Sequence, residues 1–367
     1  MKKSILSVIC ASALTVGVFA ARPVLAEAIT VGAILPLTGP GAVVGLAEQR
    51  GIEFAVAEIN KSGGIDGRNL EVVYDDSQGK ADLGILAFNK QVDLDGVQAI
   101  IGAYSGPTIA MAPLATRKKV LVLNPAAQSD KLAKASPFVV NTIPLTSDEV
   151  SVIVDYITKQ AKITKAGIIY ENSAAGIDSR DDFTKQFKAA GGQVTAEEPV
   201  QFGDTNFRPA LLKVADTAPQ VVFVCITQGH SSFADQVGQQ AGFPPVVATT
   251  YMTVAMGHPA SNGWMNTSIR GALKPEVEAE FKTLYKVDAV NFFHREYYNS
   301  TKLLAEVIGN VLKNGQEVTG ANLRESLFKT REFDGIAKLV FDTNTADRQV
   351  DVMKVVDGKV VPAEASN

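Results

Sequence analysis

The chain has 367 residues, 46% of them hydrophobic, with 35 basic against 39 acidic side chains and a net charge of −4. Its Lys and Arg residues form no cluster, which excludes a nucleic-acid or anionic-membrane surface as the main partner. This much apolar content over this length fills two cores more readily than one.

The first 26 residues read as a secretory leader. Lys2 and Lys3 make a basic start, Ile5 to Ala21 carry no charge, and Val24-Leu25-Ala26 is a small-residue cleavage box before Glu27. An uncleaved anchor is the other reading of an apolar stretch this long. Cleavage after Ala26 removes three basic residues and no acid, so the net charge moves from −4 to about −7. Cys10 leaves with the leader, and Cys225, inside the run Val221 to Ile226, reads as a small buried hydrophobe. The expected location is the periplasm.

Beyond the leader, strand and helix patterns alternate. Ile29 to Leu35 is a β-branched apolar run ended by Pro36 and Gly39-Pro40-Gly41. Leu46 to Ile59 has helical spacing, closed by Ser62-Gly63-Gly64. Leu70 to Tyr74 is strand, Ala81 to Val92 helix, Ala99 to Ile101 strand, Ile109 to Thr116 helix and Val120 to Leu123 strand. After Thr142-Ile143-Pro144 the cycle restarts, with helices at Val150 to Ile157, Phe183 to Ala189, Leu211 to Val214 and Phe233 to Gln240. The strands between them are Ala166 to Tyr170, one starting at Val194, Val221 to Ile226 and Val246 to Ala248. The tail holds helices at Val277 to Tyr285, Tyr297 to Leu312 and Leu323 to Phe328. It ends in strands at Ile336 to Phe341 and Val350 to Val356, with Asp357-Gly358 as a hairpin turn into Val360-Val361. Two α/β units in tandem, each a parallel sheet covered by helices, are the expected fold class.

Ile29 to Leu46 (ITVGAILPLTGPGAVVGL), Phe54 to Leu70 (FAVAEINKSGGIDGRNL), the pair Ile101 to Gly106 and Val122 to Ala127, and Phe333 to Phe341 together resemble the leucine/isoleucine/valine-type periplasmic solute-binding proteins of ABC importers. The resemblance implies a type I periplasmic binding fold, with two Rossmann-like lobes joined by a three-crossing hinge that closes on a solute. Residues 27–143 with 274–339 are expected to form one lobe, and 144–273 with 340–367 the other.

Ligands of open α/β sheets bind beyond the carboxyl ends of the strands, where free N–H groups at helix N-termini receive anions. Pro36 to Gly45, Gly102 to Pro107 and Asn124 to Ser129 are such loops. Ser105 reads either as a helix cap or as a ligand contact, and Thr108 as a cap. The resemblance implies that Ser105, the backbone at Ala126 and Ala127, and Gln128 in place of the family's Thr hold a carboxylate. It also implies site positions at Ala175, where the family's amino-acid binders carry an aromatic residue, at Thr227, and at Tyr251, where they carry the acid that receives an ammonium. With no acid at Tyr251, and Tyr104 and Tyr251 as aromatic walls, the favoured ligand is a small carboxylate with an apolar or aromatic body, an aromatic acid or 2-oxo acid. A leucine-like amino acid is the alternative, through a one-residue misalignment or through Asp178 or Asp204, although Asp204 resembles a helix cap. An amide binder and a ligand sensor are weaker readings.

Enzyme chemistry finds little support. Gly39-Pro40-Gly41 with Gly45 has the spacing G-x-G-x-x-x-G, one residue too long for a dinucleotide loop. There is no P-loop and no G-x-S-x-G elbow, and His230, His258 and His294 lie far apart. Asp75-Asp76 and Asp181-Asp182 read as solvated caps at a strand end and a helix start. No cofactor, no metal and no catalytic residue is expected. The partners expected are the ligand and an inner-membrane ABC permease, with the binding protein a monomer.

Overall fold

The computed structural model describes residues 27–363, so the leader lies outside the described residues. The first sheet takes β1 (Ile29–Leu35), β2 (Leu70–Asp76), β3 (Ala99–Gly102), β4 (Leu121–Asn124) and β5 (Val139–Asn141) in the order β2-β1-β3-β4-β5. All its pairs are parallel. Its interior strands are buried on both faces, as continuous β-branched runs require. Helices α1 (Ala42–Lys61), α2 (Ala81–Asp93) and α3 (Ser105–Lys118) connect them.

The chain then passes to a second unit through α4 (Thr146–Asp155) and a π turn at Tyr156–Gln160. There β6 (Lys165–Glu171), α5 (Ala174–Ala189), β7 (Gln193–Val200), α6 (Arg208–Ala215), β8 (Val221–Cys225), α7 (His230–Gly238), β9 (Val246–Ala248) and β10 (Met265–Ile269) repeat the alternation. The three tail helices α8 (Pro275–Tyr285), α9 (Phe292–Lys313) and α10 (Gly320–Thr330) return to the first unit. There α9 packs on α1, and α10 packs on α9 and β4. A short hairpin, β11 (Glu332–Phe333) with β12 (Leu339–Val340), follows. The chain then crosses back so that β13 (Val350–Val356) and β14 (Lys359–Pro362) extend the second sheet, ordered β14-β13-β10-β9-β8-β6-β7.

The expected α/β class with parallel sheets in two lobes is what the chain forms, and the second sheet adds an antiparallel edge, because β13 runs against β10 and β14 against β13. Asp357 and Gly358 both take positive φ, 50° and 73°, as a two-residue hairpin turn demands. Ile336 to Phe341 is not one strand. The segment folds back on itself, and only Leu339 and Val340 pair with Glu332 and Phe333. Cys225 is free and buried in β8. Asp181-Asp182 sit within α5 rather than at its start, because the helix begins at Ala174.

Where the chain passes between the sheets, one side chain ties the passages together. Arg348 Nη1 donates to the Thr142 carbonyl at 3.3 Å, and Nη2 donates to the Arg270 carbonyl at 2.6 Å. Both nitrogens also bond to the Glu296 carboxylate of α9, and neither side chain of this ion pair is exposed to solvent.

Candidate ligand-binding site

Each sheet reverses its strand order once, between β1 and β3 in the first and between β6 and β8 in the second. In a doubly wound sheet the loops diverge at such a point and leave a crevice beyond the strand ends. The two crevices meet in one cavity of about 230 Å³, lined by Tyr104, Ser105 and Gly106 after β3, Asn172 to Ala175 after β6, and Thr227 after β8. Glu48, Gly79, Ala126, Phe202, Tyr251 and Phe293 complete the wall. The volume falls below the range of drug-sized sites, so the occupant is small.

Two helices from opposite units begin on this cavity, α3 at Ser105 and α5 at Ala174. Their first N–H groups have no partner within the helix, and an anion can take that role. Tyr104 is the residue before α3 and holds φ 60°, a left-handed conformation that costs a tyrosine about 1–3 kcal/mol. Ser105 is therefore not a cap. It is the first residue of α3, and its Oγ accepts from the Ser129 N–H at 3.2 Å, fixing one loop against the other. At α5, Ser173 Oγ accepts from the Gly176 N–H at 3.3 Å. A Cβ on Gly176 would sit 2.0 Å from the Glu171 carbonyl oxygen, so this tight turn from strand to helix requires glycine.

The aromatic rings enclose what the helix ends leave open. Tyr104 meets Phe202 edge-on at 5.7 Å, and Tyr251 stacks on Phe293 at 6.4 Å, each pair joining the two units. Tyr251 donates its hydroxyl to the Ala126 carbonyl across the cleft at 2.8 Å. The Tyr104 hydroxyl is buried without a partner.

Among the described residues lining the cavity there is no Lys, Arg or His, and Glu48 is the one acid. Burial pushes the Glu48 carboxyl up to about 8, against the lowering effect of its hydrogen bond with Tyr297, so it is neutral at pH 7. One layer behind the wall, Glu171 accepts from Thr227 Oγ1 at 2.9 Å, and burial raises its pKa despite its bonds to Ser173 and Thr227. A bound anion would thus be held by peptide N–H groups and hydroxyls rather than by a cation.

Of the site residues expected from the sequence, Tyr104, Ser105, Ala126, Ala175, Thr227 and Tyr251 lie on the cavity. Ala127 packs in the core behind the loop. The Gln128 amide donates to Glu149, which also accepts from Thr250 and Thr267. Thr108 lies inside α3 and bonds back to the Ala103 carbonyl at 3.4 Å, so it caps nothing. Asp204 closes a turn by accepting from the Gln201 N–H, and the residue before α6 is Phe207. Asp178 leaves the cavity to Lys131 at 3.2 Å and to Ser129.

Sequence reasoning missed Glu48, Phe202 and Phe293. For Glu48 a signal existed, because it stands in the buried stripe Val44, Glu48, Ile52, Ala55, Ile59 of α1, where an acid is out of place. Phe202 lies in an irregular loop and carries no such mark.

Two α/β units, with helix ends and aromatic rings facing one small cavity between them, define a two-lobed binding protein. The chain matches the model of the periplasmic binding protein family over residues 28–359 and belongs to that family. It is 26% identical over 349 residues to Leu/Ile/Val-binding protein homolog 3 of Brucella melitensis, covering 92% of this chain and 94% of the relative. Among solved structures, a solute-binding protein of an R. palustris ABC transporter in complex with benzoate superposes with a TM-score of 0.80. It is 21% identical, with 92% of this chain and 95% of that one covered. A branched-chain amino acid transporter substrate-binding protein from Streptococcus pneumoniae in complex with isoleucine superposes with a TM-score of 0.77. Its identity is 23%, with 91% and 99% covered.

Proposed function

We propose that this protein binds a small carboxylate with an aromatic or apolar body and delivers it to an inner-membrane ABC permease, without transforming it. The observation that carries the reading is the convergence of the α3 and α5 N-termini on an aromatic-walled cavity that has no ionised acid on its surface at pH 7. The helix ends suit a carboxylate. A ligand ammonium would have to ionise Glu48 or reach Glu171 behind Thr227, and a buried ammonium without an ionised partner is costly.

Several attributes belong to the same proposal. The leader is cleaved after Ala26 and the protein works in the periplasm as a monomer. No helix of the described residues is long and apolar enough to cross a membrane. Residues 27–143 with 274–339 move against 144–273 with 340–367, and ligand stabilises their closed arrangement. A leucine-like amino acid is the second reading, favoured by Glu171 directly behind Thr227.

A thermal-shift panel on ligand-stripped protein tests this. It compares benzoate-type acids and 2-oxo acids with leucine, isoleucine and phenylalanine. At one hundred times the dissociation constant a ligand adds about 2.7 kcal/mol. Stabilisation by the amine-free acids alone is expected, and stabilisation by the amino acids alone would overturn the reading.

A further inference from the structure

Glu48 differs from every other polar group on the cavity wall. It is 1% exposed, and its Oε2 has no hydrogen-bond partner. A buried polar atom left unpaired in a folded protein is costly and calls for a partner that arrives later. The Tyr104 hydroxyl, also unpaired, lines the same cavity.

The surroundings fix which kind of partner. Tyr297 donates its hydroxyl proton to the Gly102 carbonyl at 3.0 Å and leaves Glu48 Oε2 without a partner. Burial favours the neutral form of the Glu48 carboxyl and leaves its unpaired Oε2 as an acceptor for the cavity. The titratable groups that face it are Tyr297 of α9 and Tyr104 ahead of α3. Neither is a cation.

We propose that Glu48 is the specificity-determining residue of this site, acting as a neutral acceptor for a hydroxyl on the body of the ligand, so that the protein selects hydroxylated carboxylates over unsubstituted ones. The inference rests on the carboxylate-binding reading above. It adds a requirement that reading does not contain, a hydrogen-bond donor on the ligand apart from its carboxylate.

The test uses the full mature protein and four probes, benzoate and its 2-, 3- and 4-hydroxy derivatives, measured by titration calorimetry at pH 7 in two buffers of different ionisation heat. One hydroxy derivative is expected to bind at least about tenfold more tightly than benzoate, because a site built to bond a hydroxyl rejects the analogue that lacks it. Proton release should stay below about 0.2 per site, since a neutral carboxyl accepts a hydroxyl without ionising. Glu48→Gln keeps an uncharged acceptor, its amide carbonyl, at the cavity and should keep the preference. Glu48→Leu should bring the preference within about threefold, with melting curves showing that both variants fold. A tenfold preference that persists in Glu48→Leu overturns the proposal, as does equal binding of all four probes by the natural protein. Release of about one proton per ligand with loss of binding in Glu48→Gln would show an ionised Glu48 and also overturns it. If none of the four probes binds while leucine does, the carboxylate reading itself has failed, a result distinct from the others.

Discussion

Replacing Arg348 with Met should cost more stability than any surface change in this protein. The guanidinium is fully buried and bonds to Glu296, to the Thr142 carbonyl and to the Arg270 carbonyl, which lie on different passages between the sheets. Removing one partner of a buried ion pair leaves the other charge unpaired and costs about 3–5 kcal/mol. Arg295 Nε stays within 3.3 Å of Glu296 Oε1 and limits the loss, which places the expected value near about 3 kcal/mol. For a cooperative unit of this length the unfolding entropy is about 0.7 kcal/mol/K, so the melting temperature should fall by about 4 °C. Calorimetry on ligand-free protein reads this directly. The double variant Arg348→Met with Glu296→Met should recover at least half of the loss, because it removes the unpaired charge. A fall below 1 °C, or two losses that simply add, would refute the claim that these groups act as one buried unit.

Other consequences can be checked with the same material. Glu48 ionises at its ordinary 4.5 when unfolded and at about 8 when folded, so its contribution to stability is whole below 4.5 and is lost as pH rises through 8. Glu48→Gln should therefore flatten the fall of melting temperature between pH 5 and 8, by up to about 1.4 kcal/mol per pH unit. An unchanged pH profile would contradict this. Tyr251→Phe removes the 2.8 Å bond to the Ala126 carbonyl that joins the two units, and ligand affinity should fall about tenfold with little change in the ligand-free melting temperature. The Asp182 carboxyl of α5 is raised to about 7 by burial and by its bond with Asp130 of the other unit. Closure should then weaken as pH rises from 6 to 8, and Asp182→Asn should abolish that trend in a binding titration. A trend that survives the substitution would place its origin elsewhere.

The fold was largely legible because both units obey simple periodicities. Buried parallel strands such as Val221 to Cys225 are unbroken apolar runs, and Gly or Pro closes most of them. What escaped was polar or short. β10 (Met265–Ile269) carries Asn266, Thr267 and Ser268, and β5 (Val139–Asn141) has three residues, so neither shows a period. The first half of α5 reads Ala-Ala-Gly-Ile-Asp-Ser-Arg-Asp, and its polar faces are satisfied by partners distant in sequence, Thr146 for Ser179 and Tyr170 for Arg180. At the site, loops after strands were legible because strand ends are marked by Gly, Pro and Ser. Gln128 shows the limit of that approach. Its loop borders the cavity through Ala126, yet its amide turns to Glu149, a residue on another helix whose position no local pattern reveals.

Among the described residues the cavity wall carries no cation, which bears on selectivity. A carboxylate bound by Arg or Lys gains most of its energy from charge, which any anion of similar size can supply. Peptide N–H groups at the starts of α3 and α5 are instead fixed by the backbone, one set in each unit, and both helix starts border the same cavity. If the carboxylate proposed above bonds to both sets, anion recognition and closure become one event. Phe202, pressed edge-on against Tyr104, and Tyr251, bonded to Ala126, add to the same arrangement without contacting the anion's charge. On the carboxylate proposal, a ligand that lacks the carboxylate would leave both helix ends unpaired, and that penalty would exclude neutral molecules of the same shape.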